Sequence, residues 1–239
     1  MLNSKPLISV ITVVFNSRDA VFETLKSVVS QKCDCFEYIV VDGGSVDGTL
    51  DVLHDHRDFI DVLISEPDSG IYDAMNKGAK LASGKWLNFM NAGDTFYNDL
   101  VLVNVLDYLD GDIVYGSHSN KGHDEDIVQA KINNYAWQER NIPYCHQSAF
   151  IKRDVFNEAL YDTRFKLASD YAQYLFCKSK GMEIRRIPIV VASFLPGGAA
   201  HSNTARLAEE YHEIMKKYWP FWSLVFYIYR VFVLKILKG

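Results

Sequence analysis

The chain has 239 residues, 49% of them hydrophobic and 23% charged, with a formal net charge of −5. That length supports one large α/β domain or a domain followed by a tail, and the apolar share is ordinary for a globular protein. The mildly negative balance excludes a broad electrostatic grip on nucleic acid.

Met1 to Pro6 is polar and runs straight into a strand, so no secretory leader is expected. Leu7 to Phe15 is β-branched and nearly all apolar, as a strand buried on both faces of a parallel sheet requires. Asn16-Ser17-Arg18-Asp19 then supplies a turn and a cap for a helix whose apolar spacing is read from Phe22, Leu25, Val28 and Val29. Phe36 to Val41 is a second strand. It ends in the acidic, glycine-rich loop Asp42 to Thr49, whose small residues let the backbone approach a ligand, and a helix starts at about Thr49. This order of elements predicts a right-handed parallel sheet.

Phe59 to Ser65 is a short third strand opening into the polar segment Glu66 to Gly78, whose second half begins a helix that runs to Ala82 and is closed by Gly84. Trp86 to Met90 is a buried strand that stops abruptly at Asn91-Ala92-Gly93-Asp94. Ligands of open α/β sheets bind beyond the carboxyl ends of the strands, so Asp94 stands where a metal or a diphosphate is expected. Taken alone, it is equally at home as a turn former. Next come a helix over Leu100 to Leu109, a short strand Asp112 to Gly116, a hydrophilic loop Ser117 to Asp126 and a strand Tyr144 to Ile151 carrying His146. A helix starts at Ser169-Asp170, where its N-terminus stabilises a carboxylate by ~0.3–1 kcal/mol, although either side chain would also serve as a plain cap.

Ile184 to Phe194 is the last strand, Pro196 to Ser202 is a loop suited to closing over a ligand, and a helix follows from Arg206. Phe221 to Lys238 is apolar nearly all round but is interrupted by Arg230 and short of the ~20 residues a spanning helix needs. The expectation is an interfacial helix with Lys235 and Lys238 at the headgroups, against packing onto the domain or onto a second subunit as a homodimer. Cys33, Cys35, Cys145 and Cys177 follow no metal-knuckle spacing and read as free thiols of a cytosolic protein.

Four stretches, Ile-Thr-Val-Val-Phe-Asn at 11–16, Val-Asp-Gly-Gly-Ser-Val-Asp-Gly-Thr at 41–49, Ser-Glu-Pro-Asp-Ser-Gly-Ile-Tyr-Asp-Ala-Met-Asn-Lys-Gly at 65–78 and Asn-Ala-Gly-Asp at 91–94, occur in order. Over residues 6 to 205 the chain resembles the family-2 glycosyltransferases, in particular the branch of bacterial colanic-acid and capsule enzymes. The resemblance implies a GT-A fold: an α/β, Rossmann-like, mostly parallel sheet flanked by helices. It divides the chain into a glycosyltransferase domain at 1–205, with a nucleotide-binding half at about 1–110 and an acceptor half at about 111–205, and a C-terminal apolar helical tail at 206–239.

The resemblance also implies a nucleotide-sugar donor, a glycan or lipid-linked acceptor, and Mg²⁺ or Mn²⁺. Phe15 falls where the family stacks an aromatic ring near the base, Asp42 on an acid that helps bind the nucleoside, Asp94 on the last acid of the metal motif and Asp170 on the catalytic base. Asp68, Lys77 and Asn91 belong to the segments expected to line the donor, and His201 to the closing loop, where it could reach the metal. Two departures matter. Gly43 replaces an acid that commonly reads the base, so UDP, GDP and dTDP stay open. Asn91 and Gly93 leave Asp94 as the single carboxylate of its motif, although one carboxylate with diphosphate oxygens and waters still holds Mg²⁺.

The chemistry asks for these groups. A cation stabilises charge developing on a diphosphate leaving group. A positioned carboxylate takes the proton of a poorly acidic hydroxyl, which is worth ~10²–10⁴-fold in rate. One base with no covalent nucleophile implies single displacement with inversion, and membrane contact by the tail would suit a lipid-linked acceptor at the inner face of the cytoplasmic membrane. Asp47 reads equally well as a turn residue, His146 as a site or a core histidine, and Tyr72 and Trp86 as core. The rival functions are a nucleotidyltransferase, which would want a basic glycine-rich loop where Asn16-Ser17-Arg18-Asp19 stands, and a non-catalytic glycan-binding scaffold.

Overall fold

The spine of the molecule is β1 (Ile8–Val14), seven residues that are all buried. Its residues alternate between the two faces of the sheet. Ile11 and Val13 join one core cluster, and Val10 and Val14 join the other, so both faces are covered and the strand is apolar throughout. The computed structural model describes residues 5–120, 123–131, 141–194, 203–220 and 223. The loop 196–202 with His201, and all of the segment 221–238 except Ser223, lie outside the described residues.

Around β1 the chain builds a parallel unit. After α1 (Arg18–Val29), β2 (Phe36–Asp42) pairs along one edge of β1. Then α2 (Thr49–Asp55) leads to β3 (Val62–Ser65), which pairs with β2, and α3 (Ile71–Leu81) leads to β4 (Trp86–Phe89) on the other edge of β1. The buried face of α1 is Val21, Thr24, Leu25 and Val28, one helical step round from the face expected from Phe22 and Val29. Phe22 instead turns outward, edge-on to His56 at 5.6 Å. Gly78 lets α3 lie directly on the sheet, since a Cβ there would stand 2.5 Å from Ile11 Cγ2. That helix ends with Ala82 already extended, so Gly84 is not its cap, and the Gly84 N–H donates to Ser9 Oγ at 3.0 Å.

The second half contributes β5 (Thr95–Phe96), α4 (Val101–Val105) with a 3-10 turn over Leu106–Tyr108, β6 (Ile113–Asn120), β7 (His123–Val128), β8 (Ala149–Lys152), α5 (Arg153–Glu158), α6 (Ser169–Ser179), β9 (Ile184–Phe194) and α7 (Thr204–Tyr218). The sheet order is β3-β2-β1-β4-β8-β6-β9-β5, with β7 on β6. The junction between halves is β8, antiparallel to both β4 and β6.

Three further expectations do not hold. The stretch 117–126 is not a loop: β6 runs on to Asn120 and returns as β7. Its polar sequence misleads because buried hydroxyls are satisfied across the ladder, as where Ser119 Oγ meets Ser193 Oγ at 2.8 Å. His146 is not in a strand but in a 3-10 turn, His146–Ser148, just before β8. Cys33 and Cys35 form a disulfide, because after α1 the chain holds their Cα atoms 5.4 Å apart, leaving Cys145 and Cys177 as the free thiols. Among the described residues, no helix is long and apolar enough to cross a membrane.

Candidate active site

The loops after the four parallel strands open on one edge of the sheet, where ligands of such sheets bind. Backbone bonds carry the ladder past the strand ends. Gly43 N–H donates to Val14 C=O at 2.9 Å and Glu66 N–H to Asp42 C=O at 3.0 Å. Met90 and Ala92 N–H donate to Ile11 and Val13 C=O at 2.9 and 3.2 Å, so Asn91 and Asp94 arrive beside the end of β1. Asn16 has φ 46°, and its Oδ1 accepts Val46 N–H at 2.9 Å, tying the first of these loops to the second.

One group forms at the ends of β1 to β3. The Phe15 ring is 58% exposed, available to stack on a flat ligand. A Cβ on Gly43 would lie 2.5 Å from Asp68 Oδ2 and 3.3 Å from Phe15 Cδ2, so the glycine leaves room for this ring and this carboxylate to approach the same stretch of backbone. Asp68 is held by Gly70 N–H on its other oxygen, at 2.8 Å. Asp42 is fully buried and faces inward. Its Oδ2 accepts Gly44 and Ser45 N–H, each at 3.0 Å, and Ser65 Oγ at 2.6 Å, so the carboxylate sets the shape of the glycine-rich loop. Asp47 brackets that loop's end, accepting Arg18 N–H at 3.2 Å and Thr49 N–H at 3.0 Å. The Thr49 hydroxyl is the main reason its carboxyl sits below the usual range. Lys77, on α3, is committed to the loop before its helix, 2.9 Å from Glu66 Oε1 and 2.8 Å from Pro67 C=O. Its bond to Glu66 holds the ammonium above its usual range.

The second group joins the two acids expected to do chemistry. Asp94 is buried, and its Oδ2 accepts Gln147 Nε2 at 2.6 Å. Thr24 of α1 fixes its backbone: Oγ1 donates to Asp94 C=O at 2.7 Å and accepts Gly93 N–H at 2.9 Å. Asn91 Nδ2 lies 2.7 Å from His146 Nε2. With the amide donating, the ring proton sits on Nδ1, which faces Asp170 Oδ2 at 3.9 Å. Asp170 Oδ1 accepts the Tyr72 hydroxyl at 3.2 Å. Burial first, and the charge of Asp170 second, push the Tyr72 phenol well above its ordinary value, so it donates as a neutral hydroxyl. A single turn, His146-Gln147, therefore touches both the loop of Asp94 and the carboxylate of Asp170. The helix cap position is Ala168, with no side-chain cap bond, so neither Ser169 nor Asp170 is used as the cap.

Of the buried side-chain polar atoms that find no hydrogen-bond partner among the described residues, three lie at this site: Asn91 Oδ1, Gln147 Oε1 and Ser169 Oγ. They belong to residues next to, or bonded to, the two acids. Two amide oxygens and a carboxylate are donors of the type a hard cation such as Mg²⁺ or Mn²⁺ prefers. No cluster of three or more His, Cys, Asp or Glu suited to a metal occurs among the described residues, so the remaining positions would have to come from a ligand and water. Burial pushes the Cys145 thiol, next to this turn, up to about 11, which keeps it a neutral bystander. A cleft of about 310 Å³ opens elsewhere, between Asp162, Arg164, α6 and α7, and contains neither acid.

Sequence reasoning missed Thr24 and Gln147 and left Tyr72 with the core. Thr24 carried a readable signal, a lone hydroxyl within the apolar stripe of Val21, Leu25 and Val28. Gln147 carried none, since its role depends on a turn inside what reads as a strand.

The description "Glycosyl transferase family 2" matches residues 9–165. The chain is 31% identical over 218 residues to a PGL/p-HBAD biosynthesis glycosyltransferase of Mycobacterium bovis (strain BCG / Pasteur 1173P2), spanning 83% of this chain and 80% of that protein. Among solved structures, it superposes on the mannosyltransferase PcManGT of Pyrobaculum calidifontis, in complex with GDP-Man and Mn²⁺, with a TM-score of 0.70 and 20% identity over 90% of this chain and 64% of that one. It superposes on S. aureus TarS 1-349, in complex with UDP, with a TM-score of 0.69 and 19% identity over 87% of this chain and 63% of that one. The chain thus spans just under two thirds of the length of these two solved proteins, and at such identities the likeness is one of fold.

Proposed function

Because the chain belongs to glycosyl transferase family 2 and has the GT-A fold, we propose that it transfers a sugar from a nucleotide-sugar donor to a hydroxyl of a glycan or lipid-linked acceptor, with inversion, in bacterial surface polysaccharide synthesis. The observation that supports the reading is the turn His146-Gln147, which bonds Asp94 through Gln147 at 2.6 Å and faces Asp170 through His146 at 3.9 Å, so the acid assigned here to the cation and the acid assigned to the proton flank one turn. The UDP bound by one fold neighbour, and the GDP-Man and Mn²⁺ bound by the other, support the donor and metal classes.

In this reading Asp94, with Asn91 and Gln147 oxygens, would hold the divalent ion, which supplies charge stabilisation to the departing nucleoside diphosphate. The exposed Phe15 ring stacks on the base, and Asp68 beside Gly43 accepts hydrogen bonds from base or ribose. Asp42 acts indirectly by shaping the loop that passes the phosphates. The glycine-rich loop brings backbone close to the donor, and Lys77 keeps the 66–73 segment in place. Asp170 removes the acceptor's proton as the new bond forms, held for that task by Tyr72 and His146. UDP is the expected carrier, with GDP or dTDP as alternatives. Domain limits at 1–205 and 206–239, and peripheral contact with the inner face of the membrane through 221–238, complete the proposal.

The test is nucleoside diphosphate release from UDP-, GDP- and dTDP-sugars with Mn²⁺, with and without EDTA. The proposal expects release from one donor class that EDTA abolishes. Absence of release together with absence of any nucleotide-dependent thermal shift would favour a scaffold, and turnover that consumes a nucleoside triphosphate would favour a nucleotidyltransferase.

A further inference from the structure

Glu210 lies on α7, far along the chain from every motif, yet it is a nearly buried carboxylate, its side chain 9% exposed. Its two oxygens face three successive backbone donors. Oε1 accepts Lys166 N–H at 2.9 Å, and Oε2 accepts Leu167 and Ala168 N–H at 2.8 and 3.0 Å. Arg206 Nε, one turn earlier on α7, closes on Oε1 at 3.1 Å and partners the charge. The bound segment ends at the residue before α6, whose second residue is Asp170. The Tyr211 ring stacks on Tyr171, the neighbour of Asp170, with centroids 4.1 Å apart and planes 12° apart. The same held segment sends Lys166 Nζ to Ser69 C=O at 2.8 Å, into the loop that carries Asp68.

We infer that Glu210 is a positioning residue for Asp170. A buried carboxylate that spends both oxygens on one short backbone segment fixes that segment, because each bond to a charged group is worth more than a neutral one and an uncompensated buried charge is costly. The segment fixed is the run-up to the proton acceptor, and through Lys166 it also steadies the donor loop. Asp170 has contacts of its own to Tyr72 and His146, but these orient its carboxylate, whereas Glu210 sets where the first turn of its helix begins. A displacement of ~1 Å at a reacting group costs on the order of 100-fold in rate. The inference rests on Asp170 being the base.

The experiment uses the full chain and three variants, Glu210→Gln, Lys166→Met and Asp170→Asn. Hydrogen exchange of the 166–173 amides, Mn²⁺-dependent UDP and GDP affinity, and donor turnover are compared at a temperature where each variant is folded. Glu210→Gln is expected to exchange at least tenfold faster at 166–170 with exchange over β1 to β4 unchanged. Nucleotide affinity should stay within twofold of wild type while kcat falls at least tenfold. Lys166→Met, which keeps the backbone bonds to Glu210 and removes only the contact to Ser69, is expected to exchange at 167–170 as wild type does. Unchanged exchange at 166–170 in Glu210→Gln, wild-type kcat, or equal losses of kcat and nucleotide affinity would overturn the inference. Full turnover by Asp170→Asn would instead overturn the functional reading beneath it.

Discussion

Thr24→Val separates the fold from the site most cleanly. The two side chains have nearly the same volume and Thr24 is fully buried, so the change amounts to deleting one hydroxyl. That hydroxyl donates to Asp94 C=O at 2.7 Å and accepts Gly93 N–H at 2.9 Å, with Asn91 C=O a further 3.2 Å contact. Gly93 N–H keeps a longer bond to Ala20 C=O at 3.2 Å, so only part of the loss is uncompensated. A net hydrogen bond contributes ~0.5–1.5 kcal/mol and a buried group stripped of its partner costs ~1–3 kcal/mol, which together put the destabilisation at about 2 kcal/mol. For a chain of this size each kcal/mol moves Tm by ~2–4 °C, so Tm should fall by about 4–8 °C. The same loop carries Asp94, and freeing it should weaken Mn²⁺-dependent nucleotide binding about fivefold, or ~1 kcal/mol. Thermal unfolding and titration calorimetry below Tm measure both. A wild-type Tm would refute the hydrogen-bond argument, and a lowered Tm with wild-type nucleotide affinity would refute the link from this loop to the ligand.

Gly43→Ala places a methyl 2.5 Å from Asp68 Oδ2, which must move; nucleotide affinity should fall about tenfold (~1.4 kcal/mol) while Tm changes little, and an unchanged affinity would remove Asp68 from the donor site. Tyr72→Phe deletes the donor to Asp170 and should lower kcat about tenfold with unchanged nucleotide affinity; parallel losses would return Tyr72 to the core. Cys145 has a thiol raised from 9.0 to about 11, so between those pH values an unfolded chain is ionised where the folded one is still protonated. The unfolded state then binds fewer protons, and this thiol's contribution to stability is lost as pH rises through that window. Iodoacetamide should therefore leave the native thiol untouched at pH 8 and react only toward pH 11 or after denaturation. Prompt labelling at pH 8, read by mass spectrometry, would contradict the burial argument.

The parallel half of the fold was legible because each strand carries its own signal. Leu7 to Phe15 reads as doubly buried, and the loops after the strands are marked by Gly, Asp and Asn. The mixed half was harder, because β6 buries Ser117 and Ser119 and looks hydrophilic, and because β8 is preceded by a turn with no glycine or proline to announce it. The amphipathic phase of α1 was misread by one position, since Phe22 outweighs Val21 in size but lies outside the stripe. Site residues divide in the same way. Asp94 and Asp170 stand out as acids at element ends. Asp42, at an equally visible place, is turned inward by Ser65, a partner 23 positions away whose role only the pairing of β2 and β3 reveals. Glu210 and Gln147 act through backbone and turn geometry, which residue spacing does not encode.

The most direct measurement is a paired one on Asp94→Ala and Asp170→Asn: Mn²⁺-dependent affinity for UDP and GDP alongside nucleoside diphosphate release from the matching sugar donors. Asp94→Ala should lose metal-dependent nucleotide binding and turnover together, whereas Asp170→Asn should bind nucleotide as wild type does and turn over ~10²–10⁴-fold more slowly. Wild-type turnover by either variant, or equal loss of binding and rate in Asp170→Asn, would contradict these roles.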